Sequence, residues 1–245
     1  MRTMADSVRA ESLNAAISAV RARITKSATA SSMPEPRLVA VSKLKPASDI
    51  QALYDTGYRH FGENYVQEMV EKAEILPKDI AWHFIGSLQS NKCATLAAIS
   101  NLFAVETLDS EKKAKRLNEA RSQLPVLNVF IQVNTSQEES KSGISPEGAL
   151  PLARYIVNSC PNLKLMGLMT IGSIARSRAS SEGEHNQDFT TLVETRAAIE
   201  AALGVHGLEL SMGMSSDFED AISQGSTNVR VGSQIFGARP PKNSA

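Results

Sequence analysis

Cysteines, an excess of one charge and long apolar runs are all missing or scarce in this sequence. Only Cys93 and Cys160 occur among 245 residues, without the spacing of a metal site, so we expect a reducing compartment and no structural metal. The 26 basic and 26 acidic residues cancel, which argues against nucleic acid as a partner. No stretch approaches the roughly 18 apolar residues that span a bilayer, so we expect a soluble protein without a membrane partner.

Residues 1–26 also lack the apolar block of a secretory signal. Their apolar side chains fall near helical spacing, which predicts an amphipathic helix packed on the body of the protein: Val8, Leu13, Ile17, Val20 and Ile24. The arginines in this segment are compatible with a mitochondrial pool of the protein, but Asp6 and Glu11 argue against a transit peptide. We therefore expect the protein to be cytoplasmic.

After Pro36 the sequence alternates between short apolar runs and longer segments with helical periodicity. Eight strands are predicted, at residues 38–42, 59–62, 81–85, 102–105, 126–133, 163–169, 208–211 and 228–231. Helices are predicted between them at 47–56, 65–76, 88–98, 110–122, 146–158, 189–203 and 218–224. No Gly-x-Gly-x-x-Gly follows the first strand, where a dinucleotide-binding fold would have it.

Strict alternation of strands and helices implies parallel strands joined by right-handed crossovers. Eight strands in about 250 residues fit a closed barrel better than an open sheet. The predicted fold is therefore α/β, a single (β/α)8 TIM barrel over residues 37–245 preceded by a helix and linker at 1–36. An open, doubly wound sheet is the alternative. Polar stretches at 135–145 and 174–187 follow the fifth and sixth strands, and we interpret the second as a surface loop without an assigned role.

Lys43 follows the first apolar run, LVAVS at 38–42, and therefore lies at the end of a buried strand, where loops gather. An amine in that position can be desolvated, and a desolvated lysine loses its preference for the charged form. Such lysines form imines with carbonyl compounds or with pyridoxal phosphate. The alternative is a strand-end lysine whose long side chain reaches water.

The loops after the seventh and eighth strands are rich in glycine and serine, with SMGMSSD at 211–217 and Gly232-Ser233. In a TIM barrel a phosphate commonly binds at these two loops. Glycine lets backbone N–H groups approach an anion, and serine adds a hydroxyl donor. The pattern favours a phosphate site. Ordinary helix caps, with Ser215 or Ser216 as the N-cap, are the alternative.

Three further polar residues lie on or after predicted strands. Arg230 is inside the eighth strand, where a buried arginine needs a partner, either an acidic neighbour or an acceptor on a ligand. Asn64 follows the second strand and could contact a ligand or cap the next helix. Of the adjacent Trp82 and His83, one should face the barrel interior, and we interpret His83 as a hydrogen-bonded core residue.

Eight segments in order along the chain carry a resemblance to a known family. They are AVSK at 40–43, FGENYVQE at 61–68, WHFIGSLQSNK at 82–92, QVN at 132–134, SKSG at 140–143, GLM at 167–169, LSMGMS at 210–215 and VRVGSQIFG at 229–237. Together they resemble the pyridoxal phosphate homeostasis protein family, also described as the proline synthetase co-transcribed homologue family. The sequence departs from that family at Gly86-Ser87, where many relatives have Gly-Pro, and in the longer, more charged loop at 174–187.

The resemblance implies a barrel like the N-terminal domain of alanine racemase, with pyridoxal 5'-phosphate held as a lysine imine. It implies seven cofactor-binding residues: Lys43 as the imine lysine, Arg230 at the pyridine nitrogen, Ser215, Gly232 and Ser233 at the phosphate, and Asn64 and Met214 along the ring. It implies no metal, and a role in intracellular pyridoxal phosphate homeostasis. Apoenzymes that require pyridoxal phosphate are then candidate partners.

An amino-acid racemase is the alternative function, because it needs the same imine and the same barrel. Racemisation also needs a second base opposite Lys43. In the resembled racemases that base comes from a second domain, which has no counterpart in this sequence. We therefore expect a cofactor-binding protein with no catalytic residue, and a monomer, since the second domain is also the obvious dimerisation element. A barrel that binds another phosphorylated metabolite without an imine is a third possibility.

Overall fold

Eight parallel strands close into a barrel in chain order in the computed structural model, which describes residues 6–138, 141–173 and 185–238. The strands are β1 Arg37–Val41, β2 His60–Glu63, β3 Ala81–Phe84, β4 Leu102–Leu108, β5 Leu127–Gln132, β6 Leu163–Met169, β7 Glu209–Ser211 and β8 Asn228–Val231. Closure is direct, because β8 pairs with β1 over four residues, from Asn228 opposite Arg37 to Val231 opposite Ala40. The predicted barrel is confirmed, and the open sheet is wrong.

Helices cover the outside of the barrel. They are α1 Ser7–Ala30, α2 Ala47–Asp55, α3 Val66–Ile75, α4 Cys93–Ala97, α5 Glu111–Ala120, α6 Pro146–Ser159, α7 Gln187–Leu203, α8 Phe218–Ser223 and α9 Ser233–Phe236. None of these helices, within the described ranges, is long and apolar enough to cross a membrane. Of the polar stretch predicted as a surface loop, residues 174–184 lie outside the described residues.

The helix predicted at 88–98 is present but shorter, and its first turn is not α-helical. The chain forms a 3-10 turn at Ser90–Lys92 and then the short helix α4. Ser90 and Asn91 begin this segment, and their side chains compete with the backbone for hydrogen bonds, which favours turns over helix.

Helix α1 packs on the barrel through the predicted apolar stripe, since Leu13, Ile17, Val20 and Ile24 are all buried. Val8 was predicted in that stripe and is instead 74% exposed. At the first turn the contact is polar, because Arg9 pairs with Asp49 of α2 at 2.6 Å and donates to the carbonyl oxygen of Phe236 in α9. The helix therefore bridges the outer helices next to β1 and β8. The division of the chain at residue 36 into two units stays a prediction.

The barrel interior contains polar side chains as well as apolar ones. Glu106 of β4 accepts a hydrogen bond from Ser211 of β7, and Asn228 of β8 donates to the same carboxylate. Strand β4 is adjacent to neither β7 nor β8 in the barrel, so these contacts cross its interior. His83 joins them at 2.6 Å and therefore faces inward, as a core histidine with its hydrogen bonds made. Its neighbour Trp82 is fully buried on the helix-facing side.

Candidate functional site

The strand register gathers the predicted site residues at one end of the barrel. Val41 of β1 lies opposite Gly62 of β2, and Ala40 lies opposite Val231 of β8. Residues that follow these three strands share the carboxyl-end face, so Lys43 lies between the segment containing Asn64 and the segment containing Gly232. This is the face on which TIM-barrel active sites are built.

The loop after β7 is tied to β8 by its backbone. Met212 N–H donates to the carbonyl oxygen of Asn228, and Arg230 N–H donates to that of Gly213 at 3.0 Å. Met214 and Ser215 follow directly, beside the segment that contains Gly232. All seven predicted cofactor residues therefore belong to the four consecutive strands β7, β8, β1 and β2 or to the loops at their carboxyl ends.

Lys43 occupies a tight turn and is half-buried. The turn is closed by a hydrogen bond from Lys45 N–H to the carbonyl oxygen of Ser42 at 3.1 Å. Leu44, the residue after Lys43, has a φ of 60°. A branched side chain in this left-handed region costs about 1–3 kcal/mol of strain, which the surrounding structure must hold in place.

Below this turn lies a buried set of charged and polar residues that we call the Lys72 cluster: Ser42, Glu63, Glu68 and Lys72. Lys72 Nζ lies 2.7 Å from Glu63 Oε1, 2.7 Å from Glu68 Oε1 and 2.9 Å from the Ser42 carbonyl oxygen. The Ser42 hydroxyl donates to Glu63 Oε1 at 2.6 Å. Residues from β2, α3 and the turn after β1 thus meet directly beside Lys43.

Glu63 in this cluster is only partly satisfied. Its Oε2 atom is buried and finds no hydrogen-bond partner among the described residues. Burial raises the pKa of Glu63 from 4.5 to about 7, although the charge of Lys72 and the hydrogen bonds from Lys72 and Ser42 act in the opposite direction. The carboxyl group therefore titrates near neutral pH.

Arg230 lies at the end of a second polar group, which we call the Glu106 network: His60, His83, Glu106, Ser211, Asn228 and Arg230. Arg230 Nη1 donates to Ser211 Oγ at 2.5 Å, and Nη2 donates to the Thr170 carbonyl oxygen at 2.7 Å. Ser211 in turn donates to Glu106 Oε2. The acidic neighbour expected for a buried Arg230 is therefore present, but it is reached through a serine hydroxyl.

The Glu106 carboxylate is well satisfied on both oxygens. Burial alone would raise its pKa, but the hydrogen bond and electrostatic attraction of His83, the charge of Arg230 and the hydrogen bond from Ser211 outweigh burial and lower the pKa. An ionised carboxylate only accepts hydrogen bonds, so His83 Nδ1 must carry the hydrogen. At the far end, burial and then the neighbouring His83 and Arg37 lower the pKa of His60 to about 4.

Burial also lowers the pKa of the Arg230 guanidinium, against the attraction of Glu106 and Asp217.

The loops predicted to hold a phosphate do contact each other. Gly232 N–H donates to Ser215 Oγ at 3.3 Å, and Gln234 Nε2 donates to the Ser215 carbonyl oxygen at 2.5 Å. Helix α8 begins after Asp217, so the alternative that Ser215 or Ser216 is its N-cap is wrong. Gly213 has a φ of 94°, and an added Cβ would meet the Ala221 Cβ at 2.6 Å. The loop therefore needs glycine there to fold back against α8.

Asn64 does not cap helix α3, whose N-cap residue is Tyr65. Its Oδ1 atom is buried and lacks a hydrogen-bond partner among residues 6–138, 141–173 and 185–238. The backbone of Asn64 is packed against Gly86, where an added Cβ would lie 1.9 Å from the Asn64 carbonyl oxygen. Glycine at 86 therefore permits this close approach, and an amide oxygen beside Lys43 remains available to a ligand donor.

Sequence reasoning missed the Lys72 cluster and most of the Glu106 network. The Glu68–Lys72 pair has the helical i,i+4 spacing and was visible in the sequence, but its contact with Ser42 depends on the fold. In the part of the chain that the structure describes, no group of three or more His, Cys, Asp or Glu residues could hold a metal ion.

Comparison with known proteins agrees with this arrangement. The family model for the N-terminal domain of alanine racemase matches residues 16–240. The pyridoxal phosphate homeostasis protein of Schizosaccharomyces pombe is 49% identical over 230 residues, 93% of both chains, and that of Homo sapiens is 47% identical over 84% of this chain and 77% of the human one. The structure of PipY from Synechococcus elongatus with pyridoxal phosphate (PLP) bound has a TM-score of 0.70 and 31% identity, covering 89% of this chain and all of that one.

The match spans both polar groups of the site and the loops between them. Identity near half of all positions over most of the chain goes well beyond a shared fold. This chain belongs to the pyridoxal phosphate homeostasis protein family, whose barrel is that of the alanine racemase N-terminal domain.

Proposed function

We propose that this protein binds pyridoxal 5'-phosphate as an imine of Lys43 and acts in intracellular pyridoxal phosphate homeostasis. The observation that carries the proposal is the register of β2, β1 and β8, which sets Lys43 between Asn64 and Gly232. The PLP-bound PipY structure and the names of the relatives support it.

The residues at this end of the barrel fit the cofactor in charge and in hydrogen-bonding groups. Lys43 would hold the cofactor through its side-chain amine. Ser215, Gly232 and Ser233 offer hydroxyl and backbone donors to the phosphate. Asn64 Oδ1, buried and unpaired among the described residues, accepts a hydrogen bond from the ligand. Met214 provides an apolar contact for the ring.

Arg230 is proposed to lie at the pyridine nitrogen. Its guanidinium has several N–H donors, and the hydrogen bonds to Ser211 and Thr170 leave others for the ring. A cation there disfavours protonation of the ring nitrogen. When bound, pyridoxal phosphate supplies an electron-withdrawing ring, and an unprotonated ring is the weaker electron sink. Racemases with this fold also use an arginine here, so this contact does not separate the two functions; delivery of the cofactor to apoenzymes that require it is part of the proposal.

Reduction with borohydride tests the imine. Protein loaded with pyridoxal phosphate should be yellow, and after reduction, peptide mass spectrometry should find the cofactor on Lys43. The matched control is Lys45→Ala, which removes the amine two residues away and should keep the reduced adduct, whereas Lys43→Ala should lose it. A protein that stays colourless, or an adduct on Lys45 alone, would overturn the proposal.

A second experiment separates homeostasis from catalysis. The loaded protein is mixed with an apoenzyme that requires pyridoxal phosphate, in the presence of a phosphatase that destroys the free cofactor. We expect recovery of the apoenzyme's activity to exceed that given by an equal amount of free cofactor. In parallel, single enantiomers of several amino acids are incubated with the protein and analysed on a chiral column. Racemisation at ordinary enzymatic rates would replace the homeostasis proposal with a racemase.

The monomeric state and the cytoplasmic location are part of the same proposal. Cys93 and Cys160 are both free thiols, and burial raises the pKa of each, which suits a reducing compartment. Light scattering on the purified protein should give the 26.4 kDa of a single chain. Fractionation of the source cells should recover it with cytosolic and not mitochondrial markers.

A further inference from the structure

The Lys72 cluster holds the residue that comes before Lys43 in its turn. The carbonyl oxygen of Ser42, the residue before Lys43, accepts a hydrogen bond from Lys72 Nζ at 2.9 Å. The hydroxyl of the same serine donates to Glu63, which also accepts from Lys72. The carbonyl oxygen and the hydroxyl of Ser42 are therefore both bound to the Lys72–Glu63 ion pair, and Ser42 itself is completely buried.

The second side of the turn is held by the same ammonium through Glu68. The backbone N–H of Leu44, the residue after Lys43, donates to Glu68 Oε1 at 2.7 Å. That oxygen lies 2.7 Å from Lys72 Nζ. Lys72 therefore connects the residues on both sides of Lys43, although it belongs to helix α3.

The position of this cluster matches the place where the backbone needs support. Leu44 has a φ of 60°, a conformation that a branched residue adopts only when its surroundings impose it. A charge-assisted hydrogen bond to its N–H supplies such a restraint. A buried ion cluster is otherwise weak as a source of stability, because apolar side chains of similar volume serve as well or better. The role of the Lys72 cluster is therefore to be sought in its contacts with the Lys43 turn, and not in a contribution to the stability of the core.

We infer that Lys72 is a positioning residue for Lys43. Acting through Ser42 and Glu68, it fixes the turn of residues 42 to 45 so that the Lys43 amine is directed at the carbonyl carbon of its ligand. The inference rests on the proposed function, in which Lys43 forms the imine with pyridoxal phosphate.

The test compares Lys72→Met with Lys113→Met. Both replacements remove a mostly buried lysine from an i,i+4 pair, but Lys113 of α5 pairs with Asp109, just before that helix, and among the described residues neither side chain contacts the Lys43 turn. Imine formation is measured by absorbance on titration with pyridoxal phosphate. We expect the dissociation constant to rise about tenfold in Lys72→Met, as for the loss of hydrogen bonds to a charged group, and to change little in Lys113→Met.

Hydrogen exchange at single amides separates positioning from general destabilisation. Loss of Lys72 should speed exchange at the Leu44 amide in the cofactor-free protein, while the amide of Val129, in the buried strand β5, keeps its rate. Equal acceleration at both amides, or an unchanged dissociation constant in Lys72→Met, would overturn the inference. Failure of the unsubstituted protein to form an imine would instead remove the proposed function, and the inference with it.

Glu68 provides a second pair of variants, which applies even where Lys72→Met does not fold. Glu68→Gln keeps an oxygen that can accept from Leu44 N–H, whereas Glu68→Leu removes it. We expect rapid exchange at the Leu44 amide and weaker imine formation in Glu68→Leu, with both largely restored in Glu68→Gln. Identical behaviour of the two variants would overturn the inference.

Discussion

Glu63 and Glu106 are both completely buried in the same barrel, yet their surroundings shift their pKa values in opposite directions. Glu106 receives hydrogen bonds from His83, Ser211 and Asn228, which reach both of its oxygens. Glu63 receives its bonds on Oε1 alone. A buried carboxyl group therefore stays ionised where its partners are numerous, and tends to keep its proton where one oxygen is left without a partner.

The difference corresponds to what each glutamate supports. Glu106 and its partners lie across the barrel interior and contact Arg230 through the Ser211 hydroxyl. Glu63 lies beside the turn that carries Lys43, with Lys72 shared between it and Glu68. In the proposed function Arg230 stays fixed while Lys43 makes and breaks a covalent bond. Glu106 thus contributes to the support of Arg230, and Glu63 contributes to the support of the Lys43 turn.

Removal of Glu106 should have the largest effect. Glu106→Leu leaves the Arg230 charge buried without its carboxylate and leaves donors of His83 and Asn228 unpaired. We expect the free energy of unfolding in urea to fall by about 3–5 kcal/mol, as when one partner of a buried ion pair is deleted.

The exposed pair Arg59–Asp79, at 2.9 Å with side chains 37% and 57% exposed, is the control. Asp79→Asn should lower the free energy of unfolding far less, because an exposed ion pair contributes little to stability. In the double variant Glu106→Leu with Arg230→Met, part of the loss should be recovered, because no charge is left unpaired. If Glu106→Leu lowers the free energy of unfolding no more than Asp79→Asn does, the Glu106 carboxylate does not stabilise the buried charge of Arg230.

Titration of Glu63 should give the second largest effect. Its pKa is raised from 4.5 to about 7 on folding, so between these pH values the native state binds more protons than the unfolded state. The free energy of unfolding should therefore decrease as the pH rises through this window, by about 3 kcal/mol from this group alone. Glu63→Gln cannot titrate and should remove that decrease.

Urea unfolding at about pH 4 and about pH 8, on either side of the window, measures the effect. Other titrating groups cancel in the difference between the unsubstituted protein and Glu63→Gln. Glu71→Gln, at an exposed position of the same helix α3, should leave the pH dependence unchanged. The same pH dependence in Glu63→Gln as in the unsubstituted protein would mean that Glu63 is ionised throughout, like Glu106.

The strands were predictable because parallel strands buried on both faces consist of nearly continuous apolar residues. The prediction for β4 is informative where it fails, since it ended at residue 105, before Glu106, whereas the strand continues to Leu108. The predicted strand stops directly before Glu106, which is completely buried in the structure. Its partners Ser211 and Asn228 are 105 and 122 residues away, so only the closed barrel shows that the charge is compensated.

Placement of the candidate site was predictable for a different reason. Glycine and serine at the ends of β7 and β8, and Lys43 at the end of β1, mark strand exits that a barrel brings together. The support for Lys43 was not predictable, because Lys72 contacts a serine 30 residues earlier through the packing of α3 on β1 and β2. Local patterns thus locate the functional groups, and the tertiary structure supplies the residues that orient them.

The smallest effect concerns the backbone of the Lys43 turn. Leu44 is 45% exposed, so its side chain contributes little burial, and its φ of 60° suits glycine better than any branched residue. We expect Leu44→Gly to be more stable than Leu44→Ala by about 1 kcal/mol in urea unfolding. At the exposed helical position Lys112 of α5, the order should reverse, with Lys112→Ala more stable than Lys112→Gly by about 1 kcal/mol. If the glycine variant is the more stable one at position 44 and the alanine variant is the more stable one at position 112, the turn that carries Lys43 is strained. An alanine advantage at both would show that Leu44 is unstrained, and the contrast between the two ends of the site would then rest on Glu63 and Glu106 alone.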